Sequence, residues 1–152
     1  SDWRGAELFA LTRSQLEPLV GKRSTRFRTT GENAYLFPNA ALHLGLALHE
    51  LTIDSLAKGA LGPAGGTIEL KSSQRMNGKG EPELVVSWTE TFATPPEAGA
   101  SRDVARAGFS GTVLGRIVPQ ALSASVRHET DQKRMVYQLT IPRSQYELHE
   151  KR

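Results

Sequence analysis

Glu50 and Asp54 lie four residues apart and share one predicted helical face with His43, while Lys58 lies four beyond Asp54, so two carboxylates and a lysine line one stripe. Taken alone, that stripe reads as a solvated helix face with an ordinary Asp–Lys pair. His49-Glu50 invites comparison with helical zinc sites, whose second histidine stands four residues after the first so that both face one metal. Here that position is Ile53, and four histidines with no cysteine leave no catalytic transition-metal set. Gly108-Phe109-Ser110-Gly111-Thr112 has the outline of a nucleophile elbow, but Thr112 replaces its last glycine, which sets serine hydrolysis aside.

The elements that must position these residues belong to a globular chain. At 152 residues it suits one domain able to bury a core, and 38% hydrophobic against 23% charged residues excludes a disordered composition. With no cysteine there are no disulfides, and no apolar run is long enough to span a bilayer. The N-terminus lacks a signal peptide's basic and apolar regions. A cytoplasmic location without membrane contact is expected. The chain starts at Ser1-Asp2-Trp3 without an initiator methionine, as expected of a piece of something longer. The net charge of +3 comes from scattered Lys and Arg without interleaved aromatics or a nucleic-acid motif, so no nucleic-acid partner is expected.

The spacing of Leu8, Leu11, Leu16 and Leu19 predicts a helix over 3–20, bent near Pro18. Short strand patterns at 24–29 and 34–37 flank Thr30-Gly31-Glu32-Asn33 and predict a hairpin. Pro38-Asn39 opens the strongest helix, running to about Ala57 with leucines around much of its circumference, as in a central, largely buried helix. A strand over 67–74 and another over 83–89 are joined by Asn77-Gly78-Lys79-Gly80, the strongest hairpin signal. Residues 91–107 hold two prolines and no apolar period and read as a mobile lid. A second amphipathic helix over 113–122, shortened or kinked at Pro119, precedes strands over 124–129 and 134–141. Residues 144–152 read as a charged tail outside a domain spanning 1–143. This order implies an α+β two-layer sandwich, a mixed sheet with its helices on one face.

From Asp2-Trp3-Arg4-Gly5-Ala6-Glu7-Leu8 to Leu139-Thr140-Ile141-Pro142 the chain resembles the HWE sensor histidine kinases. Leu46-Ala47-Leu48-His49-Glu50-Leu51 and Gly59-Ala60-Leu61 match the family's N-box helix in register. His49 and Trp88-Thr89-Glu90 match the residues for which the family is named, and Gly108-Phe109-Ser110 and Ile141-Pro142 are similar to its Gly-Phe-Gly and closing Leu-Pro.

The resemblance implies the GHKL, or Bergerat, ATP-binding fold, with nucleotide between the helices beneath a lid. It implies ATP and Mg2+ as ligands, Asp54 at the metal and phosphates, and Lys58 near them. Glu50 takes the general-base or site-polarity role, and His49 counts with the nucleotide site as the family marker. Glu90 accepts a hydrogen bond from the adenine amino group, and Gly108, Ser110 and Gly111 cradle phosphate. The expected partners are a histidine-bearing dimerisation domain of the same kinase and a response regulator. None of His43, His49, His128 or His149 has the phosphoacceptor context. Four departures fall on this one site. Asp54, Ala57 and Lys58 stand where the family has asparagine, lysine and an aromatic residue. Lys58, one residue late, is rotated about 100° on an ideal helix. Phe92, Ala93 and Thr94 replace paired glycines, and Ser110 replaces the last glycine of Gly-Phe-Gly. Two functions follow: an ATP-binding kinase domain, or a degenerate pseudokinase module that docks or regulates.

Overall fold

In the computed structural model, residues 4–96 and 108–148 are described. Strand β1 (Ala6–Glu7) leads directly into helix α1 (Leu8–Val20), so the first helix starts later than its apolar spacing suggests. Pro18 sits in its last turns, where the helix continues to Val20. Strand β2 (Phe27–Gly31) and strand β3 (Tyr35–Leu36) follow, but they do not form the predicted hairpin. Strand β2 pairs in parallel with β4 (Gly66–Met76), and β3 joins β1 in a separate sheet.

The reason lies in the start of α1, whose Glu7 N-cap supplies no side-chain acceptor. Phe9 N–H donates to Asn33 Oδ1 at 2.9 Å and Leu8 N–H to the Ala34 carbonyl at 2.9 Å. Asn33 of the expected turn and Ala34 of the expected strand therefore satisfy orphan donors of a helix instead of forming a hairpin. Gly31 makes the departure possible: its φ of 93° and its approach to the Ser72 carbonyl leave no room for a Cβ.

Helix α2 (Pro38–Lys58) runs as expected, with proline in its first turn, and ends at Gly59. Strands β4 and β5 (Pro82–Phe92) form the predicted antiparallel pair. Asn77 Oδ1 accepts from the N–H groups of Lys79 and Glu81, which closes their loop. Strand β5 extends through Thr91 and Phe92, and Ala93 and Thr94 N–H groups donate to the carbonyls of Gly65 and Ala64. These residues of the expected lid are thus tied to the scaffold, whereas 97–107 lie outside the described residues.

The helical run after Gly108 comprises α3 (Phe109–Thr112), a π-helical turn (Val113–Ile117) and α4 (Val118–Leu122). Pro119 accounts for the wide turn. Val118 N–H reaches back to the Val113 carbonyl and Pro119 has no N–H, so the Leu114 carbonyl accepts from the Tyr137 hydroxyl instead, at 2.6 Å. Burial pushes the Tyr137 phenol up, which keeps it a donor.

Strands β6 (Ser125–Thr130) and β7 (Arg134–Pro142) are joined by a turn in which Asp131 Oδ1 accepts from the N–H groups of Lys133 and Arg134. Those bonds hold the Asp131 carboxyl below its ordinary value. The five-stranded sheet has the order β2-β4-β5-β7-β6, parallel only between β2 and β4. Its buried face carries Ile68, Leu70, Leu84, Val86, Trp88, Tyr137, Leu139 and Ile141, which belong to one core with Leu8, Leu16, Leu44, Leu48, Leu51 and Leu114 from the helices. The architecture is the mixed-sheet α+β sandwich expected.

Residues 144–148 depart from the tail expected at 144–152, and 149–152 lie outside the described residues. A 3-10 turn (Arg143–Gln145) leads into β8 (Tyr146–Glu147), which pairs with β3, and the Tyr146 ring is fully buried. Its isolated aromatic among charged neighbours carries no period, so only the fold reveals it as core. Tyr146 donates its hydroxyl to Gln74 Oε1 at 2.8 Å. Tyr146→Phe should lower the unfolding free energy by about 1 kcal/mol, read from the urea midpoint at unchanged m. Among the described residues no helix is long and apolar enough to cross a membrane.

Candidate nucleotide site

A cleft of about 80 Å³ opens where the end of α2 faces the ends of β5, β6 and β7 and the start of the helical run after Gly108. Asp54, Lys58, Glu90, Ser110 and Gly111 line it together, so five of the eight site residues expected from sequence converge. Gly108 does not line it, although it borders the site as the residue preceding α3 and accepts from Thr112 N–H. Neither His49 nor Glu50 lines it. His49 is exposed on α2 and its Nδ1 lies 3.3 Å from Gln15 Oε1 of α1, while Glu50 is half-buried one turn before Asp54.

Glu90 forms the deep end. Its side chain is on the buried face of β5 with only 1% exposure, because strand alternation places it with Trp88 and Val86. Oε1 accepts from Ser55 Oγ at 2.7 Å and from Ala60 N–H at 2.9 Å, and Oε2 accepts from Trp88 Nε1 at 2.8 Å. The Trp-x-Glu spacing thus has a local cause: residues two apart on a strand share a face, and the indole N–H reaches the carboxylate. Desolvation raises the Glu90 carboxyl above its ordinary value of 4.5, the three hydrogen bonds oppose that shift, and the nearby Asp54 charge adds to it. A carboxylate offers about four acceptor positions, so one remains, on Oε2.

The C-terminus of α2 is shaped around this carboxylate. Gly59 N–H closes the helix onto the Ser55 carbonyl, and a Cβ at Gly59 would overlap Glu90 Oε1. Leu61 N–H donates to Ser55 Oγ, and Arg26 donates to the Ala60 carbonyl at 2.7 Å. Gly59-Ala60-Leu61, read from sequence as a motif match, is therefore the backbone half of the Glu90 site.

At the mouth, Ser110 donates its hydroxyl to Asp54 Oδ2 at 2.6 Å, linking α3 to α2. The Asp54–Lys58 pair read from helical spacing is not formed within 4 Å, and both side chains are half-buried at the cleft. Phe92, Leu114 and Met135 give the cleft apolar walls, and His128 and Thr130 of β6 complete it. His128 packs edge-on against Tyr137 with ring centroids 5.3 Å apart. Sequence reasoning missed Leu114, His128, Thr130 and Met135. The alternation of His128 and Thr130 along β6 was visible, but their proximity to Glu90 depends on β7 lying between β5 and β6, where Met135 pairs with both Glu90 and Thr130.

No group of three or more His, Asp or Glu among the described residues forms a cage for a metal ion. That does not conflict with Mg2+, which commonly takes one or two carboxylates and fills its remaining positions with water and phosphate oxygens. Asp54 Oδ1 at the cleft mouth fits that limited role.

No family model matches the chain. A blue-light-activated histidine kinase of Rhizobium johnstonii is 26% identical over 141 residues, covering 92% of this chain and 37% of that protein. The chain thus spans little more than a third of this relative's length. Among solved structures, the histidine kinase domain of a blue-light-activated kinase from Erythrobacter litoralis superposes with a TM-score of 0.62 at 13% identity, covering 88% of this chain and 59% of the other. The catalytic domain of the histidine kinase ThkA gives 0.61 at 17% identity, with 91% and 95% covered. The mycobacterial sensor histidine kinase MprB gives 0.60 at 16%, with 91% and 96% covered. The chain therefore shares the fold of histidine kinase catalytic domains, and its sequence relative is a blue-light-activated histidine kinase.

Proposed function

We propose that the chain binds ATP with Mg2+ in this cleft and presents the γ-phosphate to a histidine on a separate dimerisation domain, from which a response regulator is served. The observation that carries the reading is the convergence of Glu90 at the deep end with Asp54, Lys58, Ser110 and Gly111 at the mouth. The open acceptor position of Glu90 suits an exocyclic amino group, apolar Leu114 and Met135 suit a base, and Lys58 offers a positive charge to phosphate. Mg2+, when bound, would neutralise phosphate charge beside Asp54. Glu50 keeps the general-base role in this reading, one helical turn from Asp54, and His49 stabilises the helix pair through Gln15.

Calorimetric titration with ATP and Mg2+ tests the reading. Binding should release or absorb heat and stabilise the fold by about 2.7 kcal/mol at a hundredfold excess over Kd. Absence of both heat and thermal stabilisation at millimolar ATP sinks it. Asp54→Asn should tighten ATP roughly fivefold, because it removes a negative charge beside a polyanion while leaving an oxygen for Ser110. No gain would mean that the Asp54 charge does not limit binding, and would point to the side chains of Phe92 and its neighbours, which stand where the family has glycines.

A second reading, a pseudokinase module that docks or regulates, is favoured by the Ser110–Asp54 hydrogen bond. It occupies one oxygen of the carboxylate that a metal and phosphates would approach. In the same titration this reading expects no ATP response at millimolar concentration.

A further inference from the structure

The polarity of the hydrogen bonds around Glu90 is fixed by groups outside its own strand face as well as on it. Leu61 N–H donates to Ser55 Oγ at 3.1 Å, and the single hydroxyl proton of Ser55 goes to Glu90 Oε1. Ala60 N–H and the Trp88 indole N–H are donors only. None of the three neighbours can accept a proton from Glu90 in this arrangement. The missing side chain at Gly59 lets Oε1 approach the end of α2, and the three donors hold the carboxylate there. We infer that Ser55 and Trp88 are positioning residues that hold Glu90 as a hydrogen-bond acceptor toward the cleft, and so set a preference for a 6-amino over a 6-oxo purine nucleotide. The inference rests on the ATP-binding reading of the same site. A 6-amino group donates to the open position on Oε2, whereas a 6-oxo group places oxygen against oxygen in a desolvated pocket, where an unmade hydrogen bond costs most.

The test compares ATP with inosine triphosphate, which carries a 6-oxo group in place of the amino group, by calorimetry on the chain with Mg2+. The unaltered chain should prefer ATP by roughly a hundredfold. Trp88→Phe keeps an aromatic ring and removes the N–H, and it should cut that ratio roughly tenfold. Ser55→Ala should act in the same direction, and Ser55→Thr, which restores the hydroxyl, should recover the preference. Because the ratio is taken within one variant, a general loss of stability cancels from it. Equal weakening of both nucleotides by Trp88→Phe, or an ATP-binding chain with an unchanged ratio in both variants, overturns the positioning role while leaving ATP binding intact. Failure of the unaltered chain to bind either nucleotide overturns the ATP reading and this inference with it.

Discussion

Glu90→Ala is expected to destabilise the chain by about 4 kcal/mol, because it strips the acceptor from three buried donors at once. Ser55 Oγ, Ala60 N–H and Trp88 Nε1 all converge on this one carboxylate, which is 1% exposed. The loss should appear as a lower urea midpoint, and any ATP response should vanish with it. Glu90→Gln is milder in volume but turns an amide N–H2 toward one set of donors, so it should recover only part of the loss. The pH dependence has a defined sign. Glu90 is raised above 4.5 in the fold, so its contribution is fully present below that value and is lost as pH rises through the raised one. In Glu90→Gln this component of the pH dependence of stability should disappear. Unchanged stability in Glu90→Ala would mean that the three donors find other partners.

Gly59→Ala should cost about 3 kcal/mol, since the added methyl must displace Glu90 Oε1 and also crowds the Ser55 backbone. The φ there is −114°, not a left-handed value, and the expected loss is assigned to the overlap with Glu90 Oε1. Gly45, in the middle of the same helix, supplies the comparison: nothing lies within 4 Å of a Cβ placed there. Gly45→Ala should stabilise slightly, by up to about 1 kcal/mol through helix propensity. Thermal melts of the two variants moving in opposite directions would support the geometry at Gly59. A harmless Gly59→Ala would contradict the close approach of Glu90.

The strongly periodic and strongly punctuated parts of this chain were legible in its sequence. Helix α2 and the β4–β5 hairpin follow from dense leucines and from an Asn-Gly turn, signals written within a few residues of where they act. The resemblance in the N-box, Trp-x-Glu and Gly-Phe-Gly residues grouped Asp54, Lys58, Glu90, Ser110 and Gly111 in one expected site, and these five line one cleft, whereas His49, Glu50 and Gly108 do not line it. Local pattern failed where a residue's partner is distant. Asn33 looks like a turn former, yet it caps a helix 24 residues earlier in the chain, which turned the expected hairpin into a parallel strand and a small separate sheet. Tyr146 looks like part of a charged tail, yet it fills the core beneath Gln74.

The sequence by itself determined the α+β class, the central helix and the Asn77 turn, and it supplied the residue types that line the cleft. Those depend on propensity, periodicity and backbone preference, which act over one or two turns. Only the tertiary structure decided that Ser55, Gly59 and Ala60 close around Glu90, that Ser110 reaches Asp54, and that Leu114, His128 and Met135 complete the cleft. Those outcomes depend on strand order and on which buried donors lack another acceptor, and neither quantity exists until the elements pack.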